Sequence, residues 1–304
     1  MKRFVINICF FLIILFLADY GFGRMMIVAE KKAKDASYHC CEEASEDILI
    51  LGSSYAIRSL VPSILSDTLG LSCFNAGQAG NGIICAYARL NIFMKRHKPK
   101  IVIYALAPQY DYLSGEEAVK YLSVLKPYYS DSTVSRLFES FGEGGEAIKL
   151  KSNFFIYNSI FPDVIKGVLE SPGDKFNGYK PLFGEYKPKK QIEETRDDVI
   201  DNQKLLCLED LIKLCKKEQI TLLLVNTPIY KEKIVNLALY MPEKELSEKY
   251  GIPVIDDIRH PSIYNRSELF YDSQHLNDKG AKLYSSLLSS HIKRLLTDSL
   301  LFDD

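Results

Sequence analysis

Short unbroken apolar runs, each followed by a helical pattern, recur along most of the chain. The first is Ile48-Leu-Ile-Leu51, which stops at Gly52. A run of that length, bounded by a turn residue, predicts a strand buried on both faces. Apolar positions at Ile57, Leu60 and Ile64 then predict helix, with a segment from about Val61 to Thr68 leading to Gly70. Ser72-Cys-Phe-Asn75 predicts a short second strand, Ala76 to Gly82 a glycine-rich loop, and Ile83 to about Arg96 a helix. Ile101 to Leu106 predicts a third strand, with Ala107-Pro-Gln-Tyr-Asp-Tyr112 as its exit loop. Later in the chain a helix is expected from about Glu194 to Glu218 and a strand from Ile220 to Val225. A helix from Glu243 to Tyr250, a strand over Gly251 to Ile255 and a tail helix from Asp278 to about Leu296 complete the pattern. Strands alternating with helices predict an α/β fold on a parallel sheet.

Two stretches break the rhythm. Met1-Lys-Arg precedes an apolar run from Phe4 to Ala18, interrupted only by Asn7. This pattern predicts a signal peptide or an uncleaved signal anchor. The apolar core is short for a span of about 20 residues unless Asp19 to Gly23 enters the interface. Gly23 and Ala29 offer weak cleavage positions, and Cys9 has no lipobox around it. Lys2 and Arg3 precede the segment, whereas Arg24, Lys31, Lys32 and Lys34 follow it, so charge alone does not orient it. Export of the body is expected, because so short a tail stays inside. The second stretch, about Leu113 to Lys190, is dense in Tyr and Phe with scattered Gly and Pro. It reads either as a cap over the sheet edge that shapes a substrate groove or as a structural subdomain. The expected organisation is therefore a membrane segment over 1–23, a linker over 24–46, and an α/β domain over 47–298 with an insertion at about 113–190.

Composition changes this picture little. The 304 residues, 47% hydrophobic and 25% charged, suffice for one large domain with a sizeable core. A net charge of -1 argues against a general nucleic-acid binder. The seven cysteines include no C-x-x-C pair, so neither a metal site nor a disulfide framework is expected, and Cys40-Cys41 falls in a polar stretch. The loop from Ala76 to Gly82 lacks the Lys-Ser/Thr that closes a P-loop. No cofactor is expected.

Two places carry candidate chemistry. Gly52-Ser53-Ser54 lies between a strand and a helix, where a small side chain is lifted off the C-terminal edge of the sheet. The same residues fit an ordinary turn with an N-cap serine. Asp272 and His275 are three apart on a loop entering the tail helix, which Asn277 or Asp278 would cap. Such a spacing lets the carboxylate orient one ring nitrogen while the other serves as base; a surface capping loop would look the same.

Taken in order, these blocks resemble the SGNH/GDSL hydrolase superfamily. Gly52-Ser53-Ser54 resembles its opening block, Asn75-Ala-Gly-Gln-Ala-Gly80 its second, and Asp272-Ser-Gln-His275-Leu-Asn its last. The resemblance covers roughly Asp47 to Tyr112 and Gln191 to Leu296. It implies a flavodoxin-like, three-layer α/β/α fold with a parallel sheet. It implies Ser54 as nucleophile, His275 as general base and Asp272 as the group that orients it, with the amides of Ser54 and Gly80 as oxyanion donors. The chain departs from the pattern in the third block, where Ala107-Pro-Gln-Tyr-Asp replaces Gly-x-Asn-Asp and the Asn donor is missing. Gln109 stands as a substitute donor. The layout is similar to envelope members that move acyl groups on polysaccharides. That implies a serine esterase or O-acyltransferase on the outer side of a bacterial inner membrane, acting on acylated, chiefly acetylated, carbohydrate and served by a membrane-bound acyl donor protein. The alternative is a catalytically degenerate domain that binds a glycan or an envelope partner.

Overall fold

The computed structural model describes residues 1–33, 36–114, 121–142, 146–170, 177–188, 199–230 and 241–300. In chain order the strands are β1 (Ile48–Gly52), β2 (Cys73–Asn75), β3 (Ile101–Ala105), β4 (Thr221–Asn226) and β5 (Val254–Asp256). The principal helices are α1 (Lys2–Ala33), α2 (Ser54–Ser59), α3 (Pro62–Leu69), α4 (Ile83–Met94), α5 (Ser132–Phe141), α6 (Asn153–Tyr157), α7 (Phe161–Glu170), α8 (Asn202–Lys217), α9 (Met241–Tyr250) and α10 (Asp278–Leu300). The chain divides into two compact units. One joins Met1–His39 to Glu117–Lys175; the other joins Cys40–Glu116 to Phe176–Asp304.

The larger unit is built on one sheet of five strands in the order β2-β1-β3-β4-β5, every pairing parallel. This is the flavodoxin-like strand order, whose crevice opens outside the carboxyl ends of the strands where the order reverses, here beside β1. β1 and β3 are buried at every position because both faces are covered. Ile48 and Ile50 of β1, Ile101 and Ile103 of β3, and Leu223 and Val225 of β4 share one core with Ala56 of α2, Leu60 at its C-cap, Leu65 of α3, and Tyr284, Leu288 and Ile292 of α10. On the opposite side α4 and α8 pack on each other and on β1 and β4. The result is the three-layer α/β/α arrangement with a parallel sheet.

Local chemistry sets the ends of these elements. Pro62 occupies the first turn of α3, and Gly70 closes it in the left-handed conformation at φ 70°. Asp201 caps α8, accepting from the amides of Gln203 at 3.0 Å and Lys204 at 3.2 Å. That cap starts the helix at Asn202 rather than near Glu194; of the expected extra turn, residues 194–198 lie outside the described residues. The exit of β3 is not a plain loop but a single helical turn, Pro108–Asp111, closed by the Asp111 carboxylate accepting from the Ala107 amide.

The stretch expected to be a linker is largely structured. α1 continues past Gly23 to Ala33, and Cys40 and Cys41 are buried, with Arg96 donating to both of their carbonyls. All seven cysteines are free thiols. The aromatic insertion is divided. Residues 117–175 join α1 in the smaller unit, whereas residues 177–188 belong to the sheet's unit. There Asn177 accepts from the amide of Asn75 at 2.9 Å and so covers the free edge of β2.

Gly178 follows at φ 87°, and a Cβ there would stand 1.9 Å from the Asn75 carbonyl oxygen. Gly178→Ala is therefore expected to destabilise the chain by more than about 2 kcal/mol, read as a lowered denaturation midpoint.

Candidate active site

β1 ends in Gly52, whose φ of 133° and close approach to Ala105 allow a sharp turn into α2. Ser53 caps that helix through its side chain, which accepts from the Tyr55 amide at 3.3 Å. The N-cap reading of the serine pair thus applies to Ser53. Ser54, the next residue, faces elsewhere: its Oγ lies 2.8 Å from Nε2 of His275. The other ring nitrogen, Nδ1, lies 2.9 Å and 3.0 Å from the two carboxylate oxygens of Asp272. Ser54, His275 and Asp272, 221 and three residues apart in sequence, form a continuous hydrogen-bonded row.

Asp272 is held by more than the imidazole. The amides of Gln274 and His275 each donate to it at 2.8 Å. Burial works to raise its pKa, but the hydrogen bonds from His275 and the two amides outweigh it and hold the carboxyl below its usual value. An ionised Asp272 fixes which imidazole nitrogen carries the proton, leaving Nε2 to face the serine. The loop is anchored by Asn277, which caps α10 by accepting from the Gly280 amide at 3.0 Å. Its amide group donates to the carbonyls of Gly184 at 2.7 Å and Glu268 at 2.9 Å. The ring of Tyr55 lies beside His275, with centroids 5.7 Å apart.

The glycine-rich loop is pressed against the start of α2. Gln78 donates its amide to the Gly52 carbonyl at 2.9 Å, and a Cβ at Gly77 would stand 2.7 Å from atoms of both Ala56 and Ile57. Buried Asn75 donates to the carbonyls of Ala56 at 2.8 Å and Leu60 at 2.9 Å. Arg89, fully buried, donates to the carbonyl of Ala76 at 2.6 Å and to the Gln78 side chain at 2.9 Å. Gly80 sits beyond this braced section at φ 68° with open space beside it. Among the described residues, none accepts from the amide of Ser54 or of Gly80. Both amides are therefore unspent donors among the described residues.

Gln109 is the residue expected as the substitute donor. Its carboxamide hydrogen-bonds the Tyr55 hydroxyl, whose pKa is pushed up to about 12, chiefly by burial. It thereby braces the residue that flanks His275.

Asp111 and Arg89 organise the loops, yet neither stood out in the sequence. Asp111 receives the Tyr104 hydroxyl at 2.5 Å, the Ala107 amide at 2.6 Å and the Ile83 amide that opens α4. It ties the turn carrying Gln109 to the loop carrying Gly80. Gly82 permits the contact, since a Cβ there would stand 2.5 Å from the Asp111 carboxylate. Buried Glu243 lies in the same polar region, accepting from Asn226 at 2.5 Å and from Tyr112 at 3.1 Å. Burial raises both acids, each to about 7. The Asp in Ala107-Pro-Gln-Tyr-Asp111, directly after a buried strand, was the available signal for the first.

Among the described residues there is no cluster of three or more His, Cys, Asp or Glu able to hold a metal ion.

No protein-family model and no curated protein matches the sequence. Solved structures similar to it include the psychrotrophic esterase EstA from a Pseudoalteromonas species, at 14% identity over 82% of this chain and 98% of that one, with a TM-score of 0.44. It is also similar to a lipase/acylhydrolase from Enterococcus faecalis, at 13% identity over 81% and 95% of the two chains, TM-score 0.42. A GDSL-like lipase from Bacteroides thetaiotaomicron is similar at 10% identity over 82% and 88%, TM-score 0.38.

The two buried acids give a pH dependence. Their folded pKa values lie above the unfolded ones, so between the ordinary carboxylate range and about 7 the folded chain holds more protons than the unfolded chain. Their contribution to stability is greatest at the acid side of that window and falls as pH rises through it. Asp111→Asn combined with Glu243→Gln is expected to flatten the slope of the urea midpoint between about pH 5 and about pH 8.

Proposed function

We propose that the chain is a serine-dependent esterase or O-acyltransferase of the SGNH kind. The observation that carries this reading is the 2.8 Å contact between Ser54 Oγ and His275 Nε2, with Asp272 on the far nitrogen. A serine hydroxyl is a weak nucleophile until a base takes its proton, and this row supplies the base and the group that orients it. Ser54 Oγ attacks the acyl carbonyl while its proton passes to Nε2. Asp272 stabilises the imidazolium, and the amides of Ser54 and Gly80 receive the oxyanion. Collapse returns the proton to the leaving alcohol and leaves an acyl-Ser54 ester. Water or a sugar hydroxyl, deprotonated by the same nitrogen, completes the cycle.

The finer reading extends this to place and substrate. α1, 32 residues long with an apolar stretch of mean hydropathy 2.2, has the length and composition of a membrane anchor or a signal sequence. On the anchor reading, the α/β unit works on the outer face of a bacterial inner membrane, on acyl esters of envelope or capsular carbohydrate, with acyl groups drawn from a membrane-bound donor protein. One rival is a glycan- or partner-binding domain without turnover, favoured by the altered third block, Ala107-Pro-Gln-Tyr-Asp, which lacks the Asn donor. A missing donor of this kind slows a serine hydrolase by about 10²–10³-fold, which predicts a slow enzyme.

Hydrolysis of 4-nitrophenyl acetate separates the readings. Ser54→Ala and His275→Ala are each expected to lower kcat/KM by at least about 10³-fold with the denaturation midpoint unchanged. Full activity in either variant overturns the assignment, and an inert wild-type protein supports the binding domain. Gln109→Ala is expected to lower kcat by roughly tenfold or more through loss of the Tyr55 brace, since supporting groups that fix a site act on rate rather than on fold.

A further inference from the structure

The smaller unit shows how the aromatic insertion meets the N-terminal helix. Asp19 closes the apolar run of α1, and its carboxylate is fully engaged by the insertion. It accepts from Ser152 Oγ at 2.7 Å, from the Asn153 amide at 2.9 Å and side chain at 3.0 Å, and from the Phe154 amide at 2.9 Å. These are the groups at the start of α6, so Asp19 caps that helix from another element. The packing continues up α1. Phe22 stacks on Phe154 at 4.7 Å and lies 6.0 Å from Phe161. Gly23 admits the Asn153 side chain, and Gly167 of α7 approaches Ala33. α7 therefore runs alongside α1 from Phe22 towards Ala33.

This fixes heights. A helix crossing the hydrocarbon core needs about 20 residues, which from Arg3 reaches the neighbourhood of Gly23 and Arg24. Asp19 lies roughly 7 Å below Arg24 along the helix axis, at about 1.5 Å per residue. Ser152, Asn153 and Phe154, bonded to Asp19, lie at its level, and Phe161 lies near it. Phe154 and Phe161 are nevertheless 48% and 38% exposed, and Tyr20 on the same level is 56% exposed. Lys151, three residues before Phe154, and Arg24, two residues after Phe22, are exposed. Aromatic rings with cations near them in sequence, at the end of a span, match the headgroup boundary. An acid inside that boundary needs its lone pairs filled, and the insertion fills them.

We infer that the insertion is a membrane-seated collar: the α6 end of it, with Phe154 and Phe161, sits in the lipid interface around the exit of α1. The occupant of this exposed aromatic face is the bilayer. The inference rests on the anchor reading of α1. It also makes α1 a retained part of the fold, because cleavage after Gly23 or Ala29 would remove Asp19 from α6 and Phe22 from the ring cluster. Leu169, 80% exposed near the far end of α7, lies beyond the level of Gly167 and Ala33 and so stands in water.

The chain contains no Trp, so a single introduced indole reports its own depth. The full-length protein is reconstituted in phosphatidylcholine vesicles as Tyr20→Trp, Phe154→Trp, Phe161→Trp or Leu169→Trp. Emission is quenched from the lipid side with brominated acyl chains and from the water side with iodide. The expected result is loss of most emission to brominated lipid at positions 20, 154 and 161, and loss to iodide alone at 169. Iodide quenching at 154 and 161 with lipid quenching at 20 overturns the collar and leaves the span standing. Iodide quenching at position 20 as well overturns both. Positions 154 and 161 report independently, so a local disturbance of the Phe22–Phe154 stack does not decide the result.

Discussion

A Cβ at Gly52 would stand 2.5 Å from the carbonyl oxygen of Ala105 on the adjacent strand, so only glycine lets the chain turn where it does. The turn comes at the carboxyl end of β1, which is hydrogen-bonded on both sides and cannot shift register without exposing its apolar residues. Ser54 is thus delivered at a fixed height, on the first turn of a helix, with its amide unspent. His275 arrives from the other end of the chain, on a loop locked by Asn277 and by the start of α10. Their 2.8 Å contact depends on both placements.

Buried polar groups supply the rest of the precision. Asn75, Arg89 and Asp111 are buried, and each makes hydrogen bonds to backbone groups of the helix that carries Ser54, the loop that carries Gly80 or the turn that carries Gln109. An unpaired polar group in such a place costs roughly 1–3 kcal/mol, so these loops have few alternative arrangements. The raised pKa of Asp111 is the other side of the same burial. The site is braced by groups that would be unfavourable anywhere else in the core.

Much of this was legible in the sequence, for physical reasons. Parallel strands covered on both faces must be apolar throughout, which made Ile48 to Leu51, Ile101 to Leu106 and Ile220 to Val225 readable as strands. Ser54, Asp272 and His275 stood out because short local spacings, a strand–turn–helix and an i, i+3 pair before a helix, carry their geometry. What was not legible depends on contacts between distant segments. The helix beyond Gly23 is stabilised by Met26 packing with Tyr157 and Val164 of the insertion, which no local pattern records. The turn at Pro108–Asp111 forms because Asp111 reaches back to Ala107, while an exit loop was the natural expectation for Ala-Pro-Gln-Tyr. Gln109 could be named as a site residue, but its partner, the Tyr55 hydroxyl, comes from another element.

The central claim is that His275 activates Ser54. The most direct measurement is reaction of the folded protein with a fluorophosphonate, followed by peptide mass spectrometry. The account predicts a single phosphonyl adduct, on Ser54, that disappears in His275→Ala while the fold is retained. An adduct on another residue, or one on Ser54 that forms as fast without His275, would contradict it.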